Sequence, residues 1–598
     1  MTTTRTLSGL ALAAFLSPAA FASYDQFYVL GDSLSDSGNY LPYILSLDPT
    51  YQGQANFTEN GGLVWSQNLS SQLGLSAVAS NLGGTNYAYG GARIDGEGYQ
   101  FSQAASLLTQ IQSLLNDTNN QLNSDALYSV WIGGNDIFWI LQEGYNSTET
   151  AVYMQGMTAN TLSALTQLQT AGARYILFPT IADVSVSPFG YSLSTAQQSQ
   201  LSSLITTYNT QLMSAVAQSG VEVIPVPTNL LFSQIIDNAD QYGFSNVTDS
   251  LCGATNIFYC FEGVHYTAEQ AASYLFADSA HPTSAVHSLI SDYVYNLLNS
   301  SAFYQQRPQQ IALNVNQQRD RLTDWVTSTS GNAVQLVDVQ ASSGQSKKGF
   351  DNPSSISITL SQPSSDTMRY GASLYAQRSD ANNALGSMRL DSLGLQLWSA
   401  FEQDQSTLVG LASIDSTTIK AKRDASLGNV ALNHKSDSDA LTFSAALSAS
   451  HRFQNGSFTH GPLFGLSANY MMLDGVTEEY TSDNYASALK ISDVDGSLVE
   501  AQAGWEVSYQ NSVAPYAQIT WHHYLHSDFD SPRLALQALP SNRFTLPDMA
   551  QDNTFGQWQA GVRWSVNESI QLNANIQSYF ALQQSPGAHG SLGLTYAF

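Results

Sequence analysis

Phe27-Tyr28-Val29-Leu30-Gly31-Asp32-Ser33-Leu34-Ser35-Asp36-Ser37-Gly38-Asn39 opens on four apolar residues and breaks at once into a polar turn rich in Ser and Asp. A short, unbroken apolar run of this kind is the pattern of a strand buried on both faces, as in a parallel sheet covered by helices. Three more short, largely apolar runs follow, Leu127 to Ile132 with Ser129 inside it, Tyr175 to Phe178, and Val221 to Ile224 with Glu222 inside it, each bounded by Gly, Pro or polar turn residues. Between the last two, Leu201, Leu204, Ile205, Tyr208, Leu212 and Val216 recur at helical spacing and would cover one face of the sheet. Residues 23–300 are therefore expected to form an α/β domain, a parallel sheet flanked by helices. Ser33 falls just past the carboxyl end of the first strand, where open α/β sheets place their ligands. That position suits a nucleophile, although a lone serine in a turn serves as readily as a cap.

The chain has 598 residues, enough for more than one domain, and 20 Lys+Arg against 47 Asp+Glu give a formal net charge of −27. Between Ser23 and Ser300 there are two basic residues, Arg93 and Arg174, against 21 acidic ones, a balance of about −19. Binding nucleic acid requires clustered Lys and Arg, so no nucleic-acid partner is expected; uncharged or zwitterionic substrates are favoured. At the N-terminus Arg5 precedes an apolar run from Leu7 to Leu16 and an Ala20-Phe21-Ala22 cleavage pattern, which reads as an export signal over residues 1–22. Cys252 and Cys260, the sole cysteines, allow a single bridge; in an oxidising exterior they are expected to form a disulfide that braces the approach to Asp278.

After Ser300 the pattern changes. A polar, helix-compatible stretch from Gln305 to Thr327, within a linker assigned to 301–330, leads into segments of about ten residues in which apolar and polar residues alternate strictly. Trp558, Ala560, Val562 and Trp564 would face one way, with Gln557, Gln559, Gly561 and Arg563 facing the other. The same alternation marks Met368-Tyr370-Ala372-Leu374, Leu393-Leu395-Leu397, Phe464-Leu466-Ala468-Tyr470 and Leu592-Leu594-Tyr596-Phe598. A soluble β-sandwich would alternate too. The aromatic C-terminal residue resembles that of bacterial outer-membrane barrels, and residues 331–598 are read as a transmembrane β-barrel of about 12 strands.

Three later segments match a hydrolase site in order with Ser33. Asn86-Tyr87-Ala88-Tyr89-Gly90-Gly91-Ala92 offers a glycine N–H free of Cβ obstruction. The second strand ends in Gly133-Gly134-Asn135-Asp136, and Asp278-Ser279-Ala280-His281-Pro282 places a carboxylate three residues before an imidazole. With these four blocks, roughly Tyr28 to His281 resembles the GDSL (SGNH) family of serine esterases and lipases, and the whole chain is similar to the autotransporters that display such an enzyme through their own barrel. The resemblance implies an SGNH-hydrolase-like fold, Ser33 as nucleophile, His281 as general base and acid, and Asp278 as its orienting partner. It also implies an oxyanion hole from the Ser33 and Gly91 N–H groups and the Asn135 amide, with Gly90 as the alternative to Gly91. The Gln305 to Thr327 helix would thread the barrel lumen.

These expectations describe a carboxylic ester hydrolase in the outer membrane, its passenger domain on the extracellular surface, acting on acyl esters or lipids without cofactor or metal. Outer-membrane lipid, the barrel-assembly machinery and a monomeric state complete the picture. A carbohydrate O-acetylesterase, or an adhesin with a vestigial site, are the alternatives. No H-E-x-x-H, Walker A loop or G-x-S-x-G elbow occurs. His265 and His287 read as surface or packing histidines, and Asp32 and Asp36 as site-tuning or turn-capping carboxylates. Asp136 would steady the loop that aims Asn135, and Phe138, Trp139 and Ile140 would line an acyl pocket or pack in the core.

Overall fold

The computed structural model describes residues 24–329, 335–344, 354–548, 553–582 and 588–598; the export signal over 1–22 and the expected start of the barrel at Gly331 lie outside them. The four apolar runs form a parallel sheet in the order β1 (Phe27–Gly31), β2 (Leu127–Trp131), β3 (Tyr175–Pro179) and β4 (Ile224–Val226). Alternate residues serve two cores. Phe27, Val29, Leu127 and Leu177 face one, and Tyr28, Leu30, Val130 and Ile176 face the other, so unbroken apolar runs are what a two-sided sheet requires. β4 corrects the sequence reading, which began it at Val221. The Val221 N–H donates to Ser219 Oγ in the turn at Gly220, and pairing with β3 begins only at Ile224.

Six helices frame the site and connect it to the barrel: α1 (Leu107–Asp117), α2 (Gly134–Glu143), α3 (Ser147–Ala171), α4 (Thr195–Ser219), α5 (Ser284–Leu298) and α6 (Arg307–Ser328). α4 carries the expected Leu201 to Val216 stripe and packs with α1 and α3 on the second core. α5 lies over the first.

The C-terminal half is a closed antiparallel barrel. Among the described residues twelve strands run from Leu336–Gly344 to His589–Ala597, with Phe453–Asn455 a short spur, and the last strand pairs with the first from Ala597↔Leu336 to His589↔Gly344. Leu374, Leu395, Phe464, Trp521, Trp564 and Leu592 are exposed on its outer surface, whereas Gln377, Gln396, Gln557 and Gln559 are buried inside. A sandwich would bury the apolar face, so the outward direction of these side chains excludes it and gives the sheet a lipid-facing exterior. No described helix is long and apolar enough to cross a membrane; the strands do so.

α6 crosses the lumen with almost every residue buried. It is held by polar contacts suited to a polar wall: Trp325 Nε1 donates to Thr595 Oγ1 (2.9 Å), Gln318 to Gln377 (2.5 Å), and Asn316 to Glu500 (2.9 Å). Arg319 pairs with Glu500 (3.2 Å), which also meets His522 Nδ1 (3.1 Å).

The α/β domain sits on the end of the barrel from which α6 enters. Glu222 accepts from Thr545 N (2.6 Å) and pairs with Arg533 (2.9 Å), and Tyr293 Oη donates to Ala486 O (2.6 Å). One apolar cluster runs from the sheet through Leu289 and Phe303 to Ile419, Leu489 and Leu536 of the barrel half.

Removing one member of a buried ion pair strands the other, at a cost of about 3–5 kcal/mol. Arg319 also pairs with Asp320 (2.9 Å). Arg319→Met should accordingly lower guanidinium stability of the detergent-solubilised protein, followed by tryptophan fluorescence, and Arg319→Met/Asp320→Asn/Glu500→Gln should recover most of it. A single variant as stable as wild type would contradict the account of the plug.

Candidate active site

The site is assembled where β1 and β2 end. Gly31 closes β1 at a point where a Cβ would lie 2.3 Å from Trp131 O, so no side chain fits. The buried amide of Gln110, on α1, holds both Gly31 main-chain groups, accepting from its N–H (2.9 Å) and donating to its carbonyl (2.8 Å). The turn after β1 curls onto its own start, with the Ser35 and Asp36 N–H groups both donating to Asp32 O. Ser33 is thereby presented at the sheet edge.

The glycine segment arrives alongside. Val29 N donates to Thr85 O (3.1 Å), Tyr87 N to Val29 O (2.7 Å) and Tyr89 N to Gly31 O (3.1 Å), so residues 85–89 run parallel to β1 and deliver Gly90 and Gly91 beside Ser33. The Asp36 carboxylate then fixes both segments. It accepts from Gly38 N (2.8 Å), Asn39 N (2.7 Å) and Gly90 N (2.9 Å). The Gly90 N–H is thus committed, whereas no described hydrogen bond occupies the Gly91 N–H. Gly91 has φ +79, and a Cβ there would come within 2.8 Å of Tyr99 O.

Asn135 lies in the first turn of α2 and donates from Nδ2 to Ala92 O (2.9 Å), which brings its amide to the residue after Gly91. Its neighbour Asp136 is buried and accepts from Ile94 N (3.0 Å) and from Tyr153 Oη (3.0 Å), tying the start of α2 to the segment after Gly91.

The fourth segment completes the row. Asp278 Oδ2 lies 2.8 Å from His281 Nδ1, and His281 Nε2 lies 2.9 Å from Ser33 Oγ. Asp278 Oδ1 accepts from the Ala280 and His281 N–H groups, so the carboxylate is held on both oxygens. Asp278 and His281 side chains keep 23% and 22% exposure, enough for a substrate to reach them.

Burial alone would raise the Asp278 carboxyl, but the His281 imidazole and the two N–H donors outweigh it and hold the carboxyl below its usual range. For His281, burial works against the charge, yet Asp278 and, more weakly, Asp32 prevail and lift the imidazole above its usual value. Burial pushes the Asp32 carboxyl up to about 7 despite its bond from Leu34 N.

Cys252 and Cys260 form the expected disulfide. Cys252 N donates to Ala277 O (2.9 Å), next to Asp278, and the bridged loop carries Phe258. Phe258 packs against Phe57, whose ring lies 5.2 Å from that of His281. No motif marks Phe57. Nor does one mark Glu59, which accepts from Ser284 N (3.0 Å) and anchors the start of α5 just after His281.

His287 is fully buried, its Nδ1 accepting from Trp65 N (3.2 Å), and burial, with His281 nearby, lowers it to about 3, a neutral packing residue. His265 is exposed and accepts from Phe261 N (3.2 Å) in a loop. Trp139 lies under the Arg93 guanidinium (3.9 Å), away from Phe138.

Two family models match the chain: a GDSL-like lipase/acylhydrolase over residues 27–294 and an autotransporter β-domain over residues 337–577. The chain thus joins a GDSL-like lipase/acylhydrolase domain to an autotransporter β-domain. Among its relatives, esterase EstA of Pseudomonas aeruginosa is 27% identical, over 88% of each chain. An uncharacterised Pseudomonas putida protein is 25% identical, over 90% of this chain and 95% of its own. The translocator domain of the autotransporter NalP from Neisseria meningitidis aligns with 48% of this chain and 98% of its own, at 13% identity and a TM-score of 0.39. Family and fold together define a carboxylic ester hydrolase domain exposed outside the cell and seated in the outer membrane by its barrel.

A base must be neutral to accept a proton, so an imidazole whose pKa is raised loses activity earlier on acidification. The acid limb of kcat/KM for a neutral ester should have its midpoint above the ~6.5 of an unperturbed histidine. A midpoint at or below that value would contradict the electrostatics described for Asp278 and His281.

Proposed function

We propose that this chain is a cell-surface serine esterase acting on uncharged or zwitterionic acyl esters through Ser33, His281 and Asp278. The observation that carries the reading is the unbroken row from Asp278 Oδ2 to His281 to Ser33 Oγ, with links of 2.8 and 2.9 Å. A serine hydroxyl is a weak nucleophile until a base removes its proton. Nδ1–H of His281, held by Asp278, leaves Nε2 as the acceptor facing Ser33.

As Ser33 Oγ attacks the ester carbonyl, Nε2 takes the hydroxyl proton and a tetrahedral oxyanion forms. The Ser33 and Gly91 N–H groups and the second N–H of the Asn135 amide are assigned to that oxygen. Gly91 is chosen over Gly90 because the Gly90 N–H is held by Asp36. Protonated His281 then gives its proton to the leaving alkoxide, an alcohol departs, and an acyl-Ser33 ester remains. Water, deprotonated by His281, attacks that ester and releases the carboxylic acid and free Ser33.

The acidic domain, about −19 over residues 23–300, repels anionic substrates and supports the choice of neutral or zwitterionic esters. The name of the P. aeruginosa relative, an esterase, agrees with this chemistry. Residues 23–300 are assigned to the passenger, 301–330 to the linker and 331–598 to the barrel, with 1–22 removed on export.

Intact cells displaying wild type should hydrolyse p-nitrophenyl butyrate, and cells displaying Ser33→Ala should show only the host background. Asn135→Ala should lose about 10²–10³ in kcat, the usual cost of one oxyanion donor. Equal rates for wild type and Ser33→Ala, with both proteins present at the surface, would refute the assignment.

A further inference from the structure

The row of catalytic groups handles the ester bond but does not select the acyl chain. Beside it lies a groove of about 1020 Å³ between α2, α3 and α4, at the upper end of the size range of small-molecule pockets. We propose that this groove receives the acyl chain, so that the enzyme favours esters of medium and long chains over acetyl and butyryl esters. This inference rests on the proposed esterase function and specifies its substrate class.

Three observations support it. The first is chemical: none of the twenty lining residues is charged, in a domain that carries about −19. Leu141, Leu193 and Leu204 supply apolar surface, with Met154 and Leu201 buried beneath it, and Leu141 remains exposed to water. An uncharged chain would cover that surface, whereas a charged ligand would find no partner there.

The second is the link to the catalytic groups. Tyr99, Phe138 and Phe189 wall one end of the groove, with Tyr99 stacked on Phe138 (5.6 Å) and Phe138 meeting Phe189 edge-on (5.2 Å). Each ring is one step from a different part of the site. Tyr99 N donates to Gly91 O (2.8 Å), Phe189 N donates to Ser279 O (2.8 Å) inside the Asp278–His281 turn, and Phe138 follows Asn135 by three residues on α2. On this proposal, a chain leaving the acyl carbon passes over these rings into the groove.

The third is length. Along α4, Gln197, Gln200, Leu201, Leu204, Thr207 and Gln211 line the groove at helical spacing. They form a stripe of roughly 21 Å at 1.5 Å per residue. A butyryl group would use only its mouth.

The test uses the full-length protein in purified outer-membrane fragments, without detergent that could enter the groove, and p-nitrophenyl acetate, butyrate, octanoate and decanoate below their solubility limits. In wild type, kcat/KM should rise with chain length, by at most about fourfold per methylene taken from water. Leu204→Trp and Ala151→Trp, which fill the groove from opposite helices, should each cut decanoate kcat/KM at least tenfold. Butyrate kcat/KM should stay within twofold and report an intact fold. Val152→Trp, on an exposed position of the same helix outside the groove, should change neither.

A wild-type profile that peaks at acetate or butyrate overturns the proposal without any variant. So does a groove-filling variant whose decanoate and butyrate rates are both unchanged or fall together. These results are distinguishable from failure of the esterase reading, in which Ser33→Ala would retain the hydrolysis of every ester.

Discussion

Inside a bilayer no water is present to satisfy a backbone N–H or C=O, and the C-terminal half of this protein is built around that requirement. Its strands close so that the first, Leu336–Gly344, pairs with the last, His589–Ala597, leaving no open edge. Closure creates a lumen, and a lumen lined by Gln, Ser, Thr and Glu is best filled by a helix that is itself polar. α6, with Asn314, Gln317, Gln318 and Arg319 buried, is such a helix. Because α6 follows α5 with only the short helix Ser300–Tyr304 between them, the plug also fixes where the α/β domain can sit. The shared apolar cluster and the Glu222 and Tyr293 contacts then hold that domain on the barrel end.

The same need to satisfy buried polar groups shapes the catalytic region in miniature. Gln110 holds the main chain of Gly31, Asp36 holds Gly38, Asn39 and Gly90, and Asp136 holds the loop after Gly91. Each bond commits a donor that would otherwise compete for the substrate. Among the described hydrogen bonds none occupies the Ser33 N–H, the Gly91 N–H or the second N–H of Asn135, and these are the groups that the proposed mechanism assigns to the developing oxyanion. Preorganisation here consists as much of donors tied away as of donors aimed inward.

The two-part architecture was legible in the sequence because each half obeys a local periodicity. Unbroken runs such as Phe27 to Leu30 serve two cores at once, and the alternation in Trp558 to Trp564 places one face in lipid and the other in a polar lumen. The residues of the candidate site could be picked out because each comes directly after a strand end or within a turn: Ser33 after β1, Asn135 after β2, and Asp278 within reach of His281. What was not legible depends on contacts far apart in the chain. Nothing in the spacing of Asp36 and Gly90, 54 residues apart, shows that a carboxylate oxygen occupies that N–H, the contact on which the proposed choice of Gly91 rests. Phe57 reaches His281 across more than two hundred residues, and the start of β4 was misplaced because a serine hydroxyl captured the Val221 N–H. The groove beside α4 was legible in part: Phe138 and Ile140, two of the three residues read as pocket lining, do line it, whereas Trp139 turns to Arg93 and the walls from α3 and α4 carry no local signal.

The central claim is that Ser33 is an activated nucleophile exposed outside the cell. The most direct measurement is to treat intact cells with a membrane-impermeant fluorophosphonate, which loses fluoride to an activated serine hydroxyl, and to locate the adduct by mass spectrometry. The account predicts a single adduct on Ser33, absent from His281→Ala. An adduct on another serine of this chain, or an unmodified Ser33 in protein that still hydrolyses esters, would contradict it.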